Sequence, residues 1–366
     1  MHESCLPEEN IKNKSNAYTL GAIICIALIF IAKKKLTSNY NSGFSKQVTK
    51  IINLLMGVYS MNIPEQIRKR AAELENGHKP FYLMSPVEYR ETLSLFRKDK
   101  NTYLDKYTEI QSRDFRIRQD DTDILARHYQ VKEKSDNAVI MYVFGGGFVE
   151  GNIESQDEHC RLLSKKTGLD VISFNYRLSP EFKHPIPFND VELVYRWICD
   201  NLLDKEYEKL YGCGFSSGAN LLSLLCHKNS QNSSFKISKL VLINPCLDLS
   251  RSFPSHQAFS DGVALSQKDL DWHFNHYLNL SDDRASEAVS PVFFEGDIPC
   301  YPEALIIVSS FCPFVDEGKF YYEKLREYSV NEAFLVSFDK LHVDFVFDVD
   351  QDESPMITEA SNFYIK

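Results

Sequence analysis

The sequence predicts an α/β fold with a mostly parallel central sheet and helices on both of its faces. From residue 109 onward, short runs rich in β-branched and aromatic residues alternate with segments of helical periodicity, and this alternation is typical of parallel sheets. The strand runs are almost continuously apolar, as expected for strands that are buried on both faces. With 366 residues, 43% of them hydrophobic and 25% charged, the chain is long enough for one large core.

The predicted elements follow one another along the chain. The strand runs are AVIMYVF at 138–144, DVISFNY at 170–176, KLYGCGF at 209–215, KLVLINP at 239–245, ALIIVSS at 304–310 and AFLVSFD at 333–339. The helical segments between the first of them are SQDEHCRLLSKKTG at 155–168, NDVELVYRWICDNL at 189–202 and SGANLLSLLCHK at 217–228. Residues 45–108 and 258–285 break the alternation with helical, aromatic sequence, and we predict that they cap the site.

An uncharged run at residues 17–32, AYTLGAIICIALIFIA, precedes this region. As a helix it would extend roughly 24 Å, and it lacks the polar face of a core helix, which is the alternative reading. We predict a single-pass membrane anchor. The lysines at 33–35 place the large domain in the cytoplasm by the positive-inside rule, with a lumenal orientation as the alternative. The predicted organisation is a tail at 1–16, the anchor at 17–32, a linker with cap helices at 33–84, and the main domain at 85–366 with a cap insertion around 258–285.

Charge and cysteine content exclude several classes of protein. A formal net charge of −10 argues against a nucleic-acid partner, because phosphate binding needs clustered Lys and Arg. The nine cysteines contain no CxxC pair or metal-ligand spacing, which favours a reduced compartment. The sequence also lacks G-x-G-x-x-G and H-E-x-x-H motifs, so we predict no metal, nucleotide or flavin cofactor.

The segment GFSSG at 214–218 lies between a predicted strand and a predicted helix, the context that a G-x-S-x-G nucleophile elbow requires. In so tight a turn, side chains at 214 and 218 would strike the neighbouring strand and helix. Ser216 then projects its hydroxyl at a helix N-terminus, whose dipole favours developing negative charge. We interpret Ser216 as a nucleophile; the alternative is an ordinary strand-to-helix turn.

A second glycine segment, FGGGF at 144–148, ends the first predicted strand. Consecutive backbone N–H groups without side chains suit an oxyanion hole. We predict that the N–H groups of Gly145, Gly146 and Ser217 bind the oxyanion, the alternative being a flexible glycine turn.

These motifs resemble those of the hormone-sensitive-lipase-like (GDXG) group of α/β hydrolases, which carry an HGGG loop and a GDSAGG elbow. The stretch YRLSPEFKHPIPFNDV at 176–191 is similar to that group's YRLAPE stretch, and SPVF at 290–293 and PFVDEG at 313–318 follow in the group's order. The resemblance covers residues 85–366 and implies the α/β-hydrolase fold with a helical cap. An N-terminal anchor before such a domain is similar to the branch of arylacetamide deacetylase and neutral cholesterol ester hydrolase.

The resemblance also implies a mechanism, in which serine attacks an ester carbonyl, histidine takes its proton and an acid orients the histidine. In this group the chain order is Ser, acid, His. His342, in FDKLHVDF at 338–345, follows the last predicted strand and stands where the group keeps its histidine. It is therefore the candidate general base, although a loop histidine taken alone is more often structural or solvated.

Three positions depart from the group's pattern. Phe144 replaces the histidine before the glycines, so a hydrogen bond that would steady the oxyanion loop is missing, and Phe215 replaces the aspartate before the nucleophile. Cys312 replaces the acid, because the D-P-L-x-D-E motif reads CPFVDE at 312–317. A neutral thiol is a weak donor and acceptor and cannot stabilise an imidazolium as a carboxylate does.

Other aspartates are candidates to replace the missing acid. Asp316 is the first of them, although its position also suits a cap for the helical segment EGKFYYEKLREY. Asp344 and Asp339 flank His342 and would have to turn inward; otherwise they are solvated loop charges. The remaining option is a dyad of Ser216 and His342 without an orienting acid.

Two hypotheses of function follow from these residues. The first is a membrane-anchored carboxylic-ester hydrolase, of esterase, lipase or deacetylase type, that is slow or uses a displaced acid. The second is a catalytically impaired homologue that binds a small apolar ligand or a partner in the old pocket, resembling the gibberellin receptors, which share this fold. The presence of both Ser216 and His342 favours the first.

Overall fold

The computed structural model of the chain describes residues 63–76, 78–95, 103–261, 263–328, 333–347 and 354–366. The predicted anchor at 17–32 lies outside these ranges, as does most of the predicted linker. Within the described ranges, no helix combines the length and the apolar character needed to cross a bilayer. The anchor and its orientation therefore stay predictions.

An eight-stranded sheet forms the centre of the described chain. Its strands are β1 (Ile110–Gln119), β2 (Thr122–Val131), β3 (Ala138–Val143), β4 (Asp170–Phe174), β5 (Lys209–Phe215), β6 (Ile237–Ile243), β7 (Glu303–Phe311) and β8 (Ala333–Leu341). Their order across the sheet is β1-β2-β4-β3-β5-β6-β7-β8. The pairs β1–β2 and β2–β4 are antiparallel, and every pair from β4 to β8 is parallel. The predicted mostly parallel α/β sheet is confirmed.

The six predicted strands correspond to β3 through β8, whereas the hairpin of β1 and β2 was not predicted. β1 is one of the two edge strands of the described sheet, and Arg113, Arg116 and Arg118 are exposed along it. The turn that joins the hairpin holds Asp120 at a φ of 49°. Because one edge of this hairpin faces water, its sequence lacks the continuous apolar run that identified the other strands.

The helices that flank and cover the sheet are α1 (Glu65–Glu75), α2 (Pro86–Leu95), α3 (Asp157–Thr167), α4 (Ile186–Asn201), α5 (Ser217–Asn229), α6 (Pro254–Ala258), α7 (Gln267–Tyr277), α8 (Val315–Glu327), α9 (Asp344–Phe347) and α10 (Pro355–Ile365). Short 3₁₀ turns occupy Phe81–Leu83, Leu104–Tyr107 and Pro291–Phe293. The three helical segments predicted between the first strands correspond to α3, α4 and α5, and the predicted helical segment EGKFYYEKLREY corresponds to α8.

The core lies along the middle strands, and every residue of β3 and β4 is buried. The carboxyl ends of parallel strands meet at one edge of a sheet, where α/β proteins place their sites. At this edge the glycine segment follows β3, Ser216 follows β5, Cys312 follows β7 and His342 follows β8. The fold therefore gathers residues that are far apart in the sequence.

Two segments predicted to form a cap contact each other over this edge. The backbone N–H of Tyr82 donates to the carboxylate of Asp269 (3.1 Å), and the indole N–H of Trp272 donates to the carbonyl of Met84 (3.1 Å). The ring of Tyr89 meets that of Trp272 edge-on at 5.1 Å between centroids. α2 thus packs with α7; it lies within the predicted cap segment 45–108, although beyond the predicted domain boundary at residue 84.

Candidate active site

Ser216 occupies the sharp turn between β5 and α5. Its backbone lies at a φ of 52°, a conformation that residues with side chains rarely adopt. A Cβ at Gly214 would lie 2.7 Å from the Cα of Ala219, and one at Gly218 would overlap the carbonyl of Val143 in β3. Glycine is therefore required on both sides of the serine, as the sequence predicted for a nucleophile elbow.

The histidine after β8 reaches the serine. His342 Nε2 lies 3.0 Å from Ser216 Oγ, and both side chains are buried. The imidazole ring packs between Phe215, at 5.3 Å between centroids, and Phe314, at 5.1 Å. Burial lowers the pKa of His342 to about 3, with nearby His273 a second cause. The ring is therefore neutral at physiological pH.

The glycine segment after β3 passes directly beside the nucleophile. A Cβ at Gly145 would lie 2.6 Å from the Phe215 ring and 3.0 Å from Ser216 Cβ. Gly146 has a φ of 130° and Gly147 a φ of 60°, both in the region that favours glycine. The carbonyl of Gly146 accepts the N–H groups of Val149 and Glu150, which closes the loop into a turn. Its backbone is thus fixed next to the serine.

Phe144 holds the start of this loop by aromatic packing. Its ring stacks on Tyr176 at 4.4 Å between centroids and 17° between planes. The Tyr176 hydroxyl also donates to the Phe144 carbonyl at 3.1 Å. The hydrogen bond that a histidine at 144 would supply is missing, but a different pair of contacts secures the same segment.

Cys312 lies beside the second ring nitrogen of His342. Its sulfur lies 3.2 Å from His342 Nδ1, and the backbone N–H of Phe314 donates to it at 3.3 Å. The side chain is 1% exposed, and this burial raises the pKa of the thiol well above its ordinary value. A neutral thiol therefore faces the ring nitrogen that a carboxylate faces in a Ser-His-Asp arrangement.

The structure gives the proposed substitute acids other contacts. The carboxylate of Asp316 accepts the backbone N–H of Ser255 at 2.9 Å. Asp344 accepts the N–H of Leu341 at 2.8 Å and lies 3.3 Å from the Arg70 guanidinium. Asp339 is exposed on β8. The three residues brought together are Ser216, His342 and Cys312.

The alternative reading of Asp316 as a helix cap is wrong in its position. α8 begins at Val315, with Phe314 at the cap and no side-chain cap bond, so Asp316 lies inside the first turn. There its negative charge interacts favourably with the positive end of the helix dipole.

The sequence did not single out His273, which packs against the glycine loop, or its partner Tyr89. His273 of α7 lies against Gly147, where a Cβ would overlap the imidazole ring. Its Nδ1 faces the Asp269 carbonyl at 2.7 Å, so Nδ1 carries the proton and Nε2 accepts from the Tyr89 hydroxyl at 3.1 Å. Burial lowers the pKa of His273 to about 4. Helix α7 thus contacts the loop through a neutral histidine.

A cavity of about 300 Å³ opens beside Ser216 and His342. Aromatic rings of Phe81, Tyr89 and Phe215 contribute to its wall. Among the described residues that line it there is no lysine or arginine, but there are five glutamates: Glu73, Glu75, Glu150, Glu154 and Glu158. Such a lining suits a neutral, partly apolar ligand better than an anion.

A second group of titratable residues lies behind Cys312. Asp248, His256 and Glu317 are buried, with potential metal-ligating atoms within 4.8 Å of one another. His256 Nε2 is 2.9 Å from Glu317 Oε2, an ion-pair contact at an angle unsuited to a hydrogen bond. Burial raises the pKa of Glu317 to about 7. Burial, the largest single cause, lowers the pKa of His256, but the carboxylates of Glu317, Asp248 and Asp316 together raise it above its ordinary value.

The carboxylates of this group already receive donors from the protein. Each oxygen of Asp248 accepts a backbone N–H and a hydroxyl, from Ser250 on one side and Ser252 on the other. Glu317 accepts the N–H of Leu247 at 2.6 Å. The group therefore forms a network that ties the segment after β6 to the first turn of α8, and we assign it no metal.

Fold and site together define an α/β hydrolase with a serine elbow. A model of a family with the α/β hydrolase fold matches residues 140–346. This match spans more than half of the chain, so the chain belongs to that family of hormone-sensitive-lipase-like α/β hydrolases.

Several similar proteins are named as ester hydrolases. The chain is 30% identical over 213 residues to a carboxylic ester hydrolase of Mycobacterium tuberculosis, covering 56% of each chain. It is 29% identical over 226 residues to an arylesterase of Saccharolobus solfataricus, covering 60% of this chain and 72% of that protein. An ethyl acetate hydrolase of Pseudomonas putida is 29% identical over 196 residues, with 53% and 61% covered. The match thus spans little more than half the length of some of these relatives.

Solved structures show the same fold. An esterase of Pyrobaculum calidifontis superposes with a TM-score of 0.72 at 24% identity, covering 82% of this chain and 97% of that one. An ester hydrolase from the metagenome of Lake Arreo superposes with a TM-score of 0.69 at 25% identity, covering 83% and 96%.

Proposed function

We propose that this protein is a serine carboxylic-ester hydrolase. The observation that carries the proposal is the 3.0 Å contact between Ser216 Oγ and His342 Nε2, at an elbow bordered by a glycine loop. The esterase activity named for the similar proteins supports the same reaction class.

In the proposed reaction Ser216 Oγ attacks the ester carbonyl while its proton passes to His342 Nε2. The N–H groups of Gly145, Gly146 and Ser217 stabilise the oxyanion that forms. Collapse of this intermediate breaks the bond to the alcohol, which leaves with the proton from His342. Water then attacks the acyl-serine through the same histidine and releases the carboxylic acid.

The substrate class we propose is a small neutral ester, aliphatic or aryl. A cavity of about 300 Å³ with aromatic walls accepts an apolar acyl or alcohol group. The glutamates around it disfavour anionic substrates and favour departure of the carboxylate product. Residues 17–32, if they form the predicted anchor, would hold this cavity near a membrane.

Turnover is expected to be slow because of the acid position. A thiol beside Nδ1 gives no negative charge to stabilise the imidazolium that forms when Ser216 loses its proton. In a serine protease that loses its triad aspartate, turnover falls about 10⁴-fold, while the oxyanion hole and binding still accelerate the reaction. The same contact favours a second candidate function, a binding protein that keeps the pocket and has lost the chemistry.

A serine-directed fluorophosphonate probe tests the proposal on the full chain. Covalent labelling that disappears in Ser216→Ala and in His342→Gln would support it, because both side chains take part in the attack. Ser223→Ala is the matched control, since Ser223 is a buried serine on α5 whose hydroxyl donates to the Ala219 carbonyl. Folded protein that resists both the probe and short-chain aryl esters would favour the binding protein.

A further inference from the structure

Cys312 differs from a carboxylate in more than its charge. A carboxylate can only accept hydrogen bonds, so it fixes the ring proton of a neighbouring histidine on the nitrogen that faces it. A thiol has one S–H donor besides its acceptor capacity. Its effect on His342 therefore depends on which of the two roles the sulfur fills.

The contacts of the sulfur assign its roles. The Phe314 N–H already donates to it at 3.3 Å, which uses acceptor capacity. The other contact is His342 Nδ1 at 3.2 Å. Since burial keeps the thiol protonated, its S–H has to be placed, and Nδ1 is the acceptor that it faces.

We propose that Cys312 donates its S–H to Nδ1 and holds His342 with the ring proton on Nε2. In that tautomer the imidazole donates to Ser216 Oγ, and Nε2 has no lone pair to accept the serine proton. Cys312 then acts as a positioning residue whose effect on His342 is the opposite of that of the acid it replaces. It stabilises the tautomer that is unable to serve as a base.

The other tautomer loses a hydrogen bond. With the proton on Nδ1, both the Phe314 N–H and the Nδ1–H would point at the sulfur, and the S–H would have to turn away inside a buried site. A buried donor without an acceptor is unfavourable, so this arrangement is the less stable of the two. The Ser216 hydroxyl has no such difficulty, because it borders the cavity and reaches solvent when it is not bonded to Nε2.

The tautomer is measurable without turnover. In the full chain labelled with ¹⁵N-histidine, the nitrogen shifts and couplings of His342, assigned by their loss in His342→Gln, report which nitrogen carries the proton. We expect Nε2–H in the native protein and in Cys312→Ser, whose hydroxyl also donates. We expect a shift toward Nδ1–H in Cys312→Ala, where Nε2 is free to accept from Ser216. Finding Nδ1–H in the native protein would overturn the proposal.

The rate of fluorophosphonate labelling shows whether Cys312 donates its S–H to His342 or acts as a weak substitute for the acid. If Cys312 supported the histidine, Cys312→Ala would slow fluorophosphonate labelling; as a donor that holds the wrong tautomer, its removal should speed labelling several-fold. Cys226→Ala is the matched control for loss of a buried thiol, as Cys226 is fully buried on α5 away from the serine. Slower labelling of folded Cys312→Ala, with the control unchanged, contradicts the proposal.

The effect of this tautomer on catalysis rests on the proposed function, whereas the tautomer itself does not. If no variant reacts with the probe, the ester hydrolase is excluded while the nitrogen signals still decide the tautomer. If the probe reacts but His342 carries its proton on Nδ1, the hydrolase stands and the tautomer proposal falls.

Discussion

The nucleophile side of the candidate site is formed mainly by backbone structure, whereas the acid side depends on a single side chain. On the nucleophile side, the elbow and the glycine loop are backbone structures, fixed by the Phe144–Tyr176 stack and by close packing around Gly145 and Gly218. On the acid side, the position of Cys312 is kept, but the group that stands there is a thiol rather than a carboxylate.

This difference teaches which features of an active site depend on one atom. Backbone geometry is held by many contacts at once, so single changes such as a phenylalanine at 144 are absorbed by new packing. A negative charge beside His342 would have to come from residue 312. The carboxylates of Asp316 and Asp344 accept hydrogen bonds from other groups. One substitution therefore changes the chemistry while the shape persists.

The largest expected effect comes from restoring the carboxylate. Cys312→Asp places an anion beside His342 Nδ1, which fixes the proton there and stabilises the imidazolium. The Phe314 N–H and the nearby start of α8 would receive this charge favourably. We expect hydrolysis of short aryl esters to rise by about 10²–10⁴-fold, measured as kcat/KM on the full chain.

The same experiment shows whether an aspartate near the site already serves as the acid. If Asp316 or Asp344 already orients His342, a second carboxylate adds repulsion and the rate stays flat or falls. A flat result together with an inactive Asp316→Asn variant would show a moved acid rather than a missing one. A flat result from an inert parent would favour the binding protein.

A medium effect is expected on the pH dependence. His342 is neutral far below its ordinary range because burial lowers its pKa to about 3, and a base loses activity only when pH falls through its pKa. The native kcat/KM or labelling rate should therefore be flat between about pH 5 and 8. In Cys312→Asp the adjacent anion favours the imidazolium and raises the pKa of His342. As the pH is lowered, the activity of this variant should therefore begin to fall at a higher pH than that of the native protein.

Circular dichroism at each pH serves as the control for loss of fold in both proteins. A native profile that falls with a midpoint near the pKa of an ordinary histidine, about 6.5, would contradict the burial effect. Identical profiles for the two proteins would mean that residue 312 does not act on the ring.

The smallest effect is expected on the nucleophile side. Phe144→His keeps a ring for stacking on Tyr176 and supplies the histidine of the related motif. Because the loop is already fixed, we expect kcat to change less than about threefold. Tyr176→Phe, which removes the hydroxyl bonded to the Phe144 carbonyl, provides the comparison. An increase of tenfold or more would show that this side is also incomplete.

Much of the fold was predictable because its middle strands are buried on both faces, although the predicted edge strand β8 is partly exposed. β3 to β8 carry continuous apolar runs, and the order of Ser216, Cys312 and His342 along the chain placed them at one sheet edge. The hairpin of β1 and β2 was missed because its exposed arginines break that signal.

The contacts that the sequence did not reveal join distant segments. Tyr89 and His273 meet across 184 positions of the chain, and no local pattern encodes such a pair. The same holds for Asp316, whose partner Ser255 belongs to helix α6, which only the folded chain brings to α8. Motifs report local backbone needs, whereas these side-chain pairings depend on the tertiary fold.

The packing of the glycines bears on how such a protein would change over time. Gly147 lies under the ring of His273, Gly145 beside Phe215, and Gly218 against the Val143 carbonyl. Each would clash if it acquired a side chain, whether or not an ester is ever hydrolysed. A descendant that had abandoned chemistry would still need these glycines in order to fold, so their presence testifies to ancestry and not to activity. Ser216 and His342 carry no such steric obligation, and their survival together is the more informative trait.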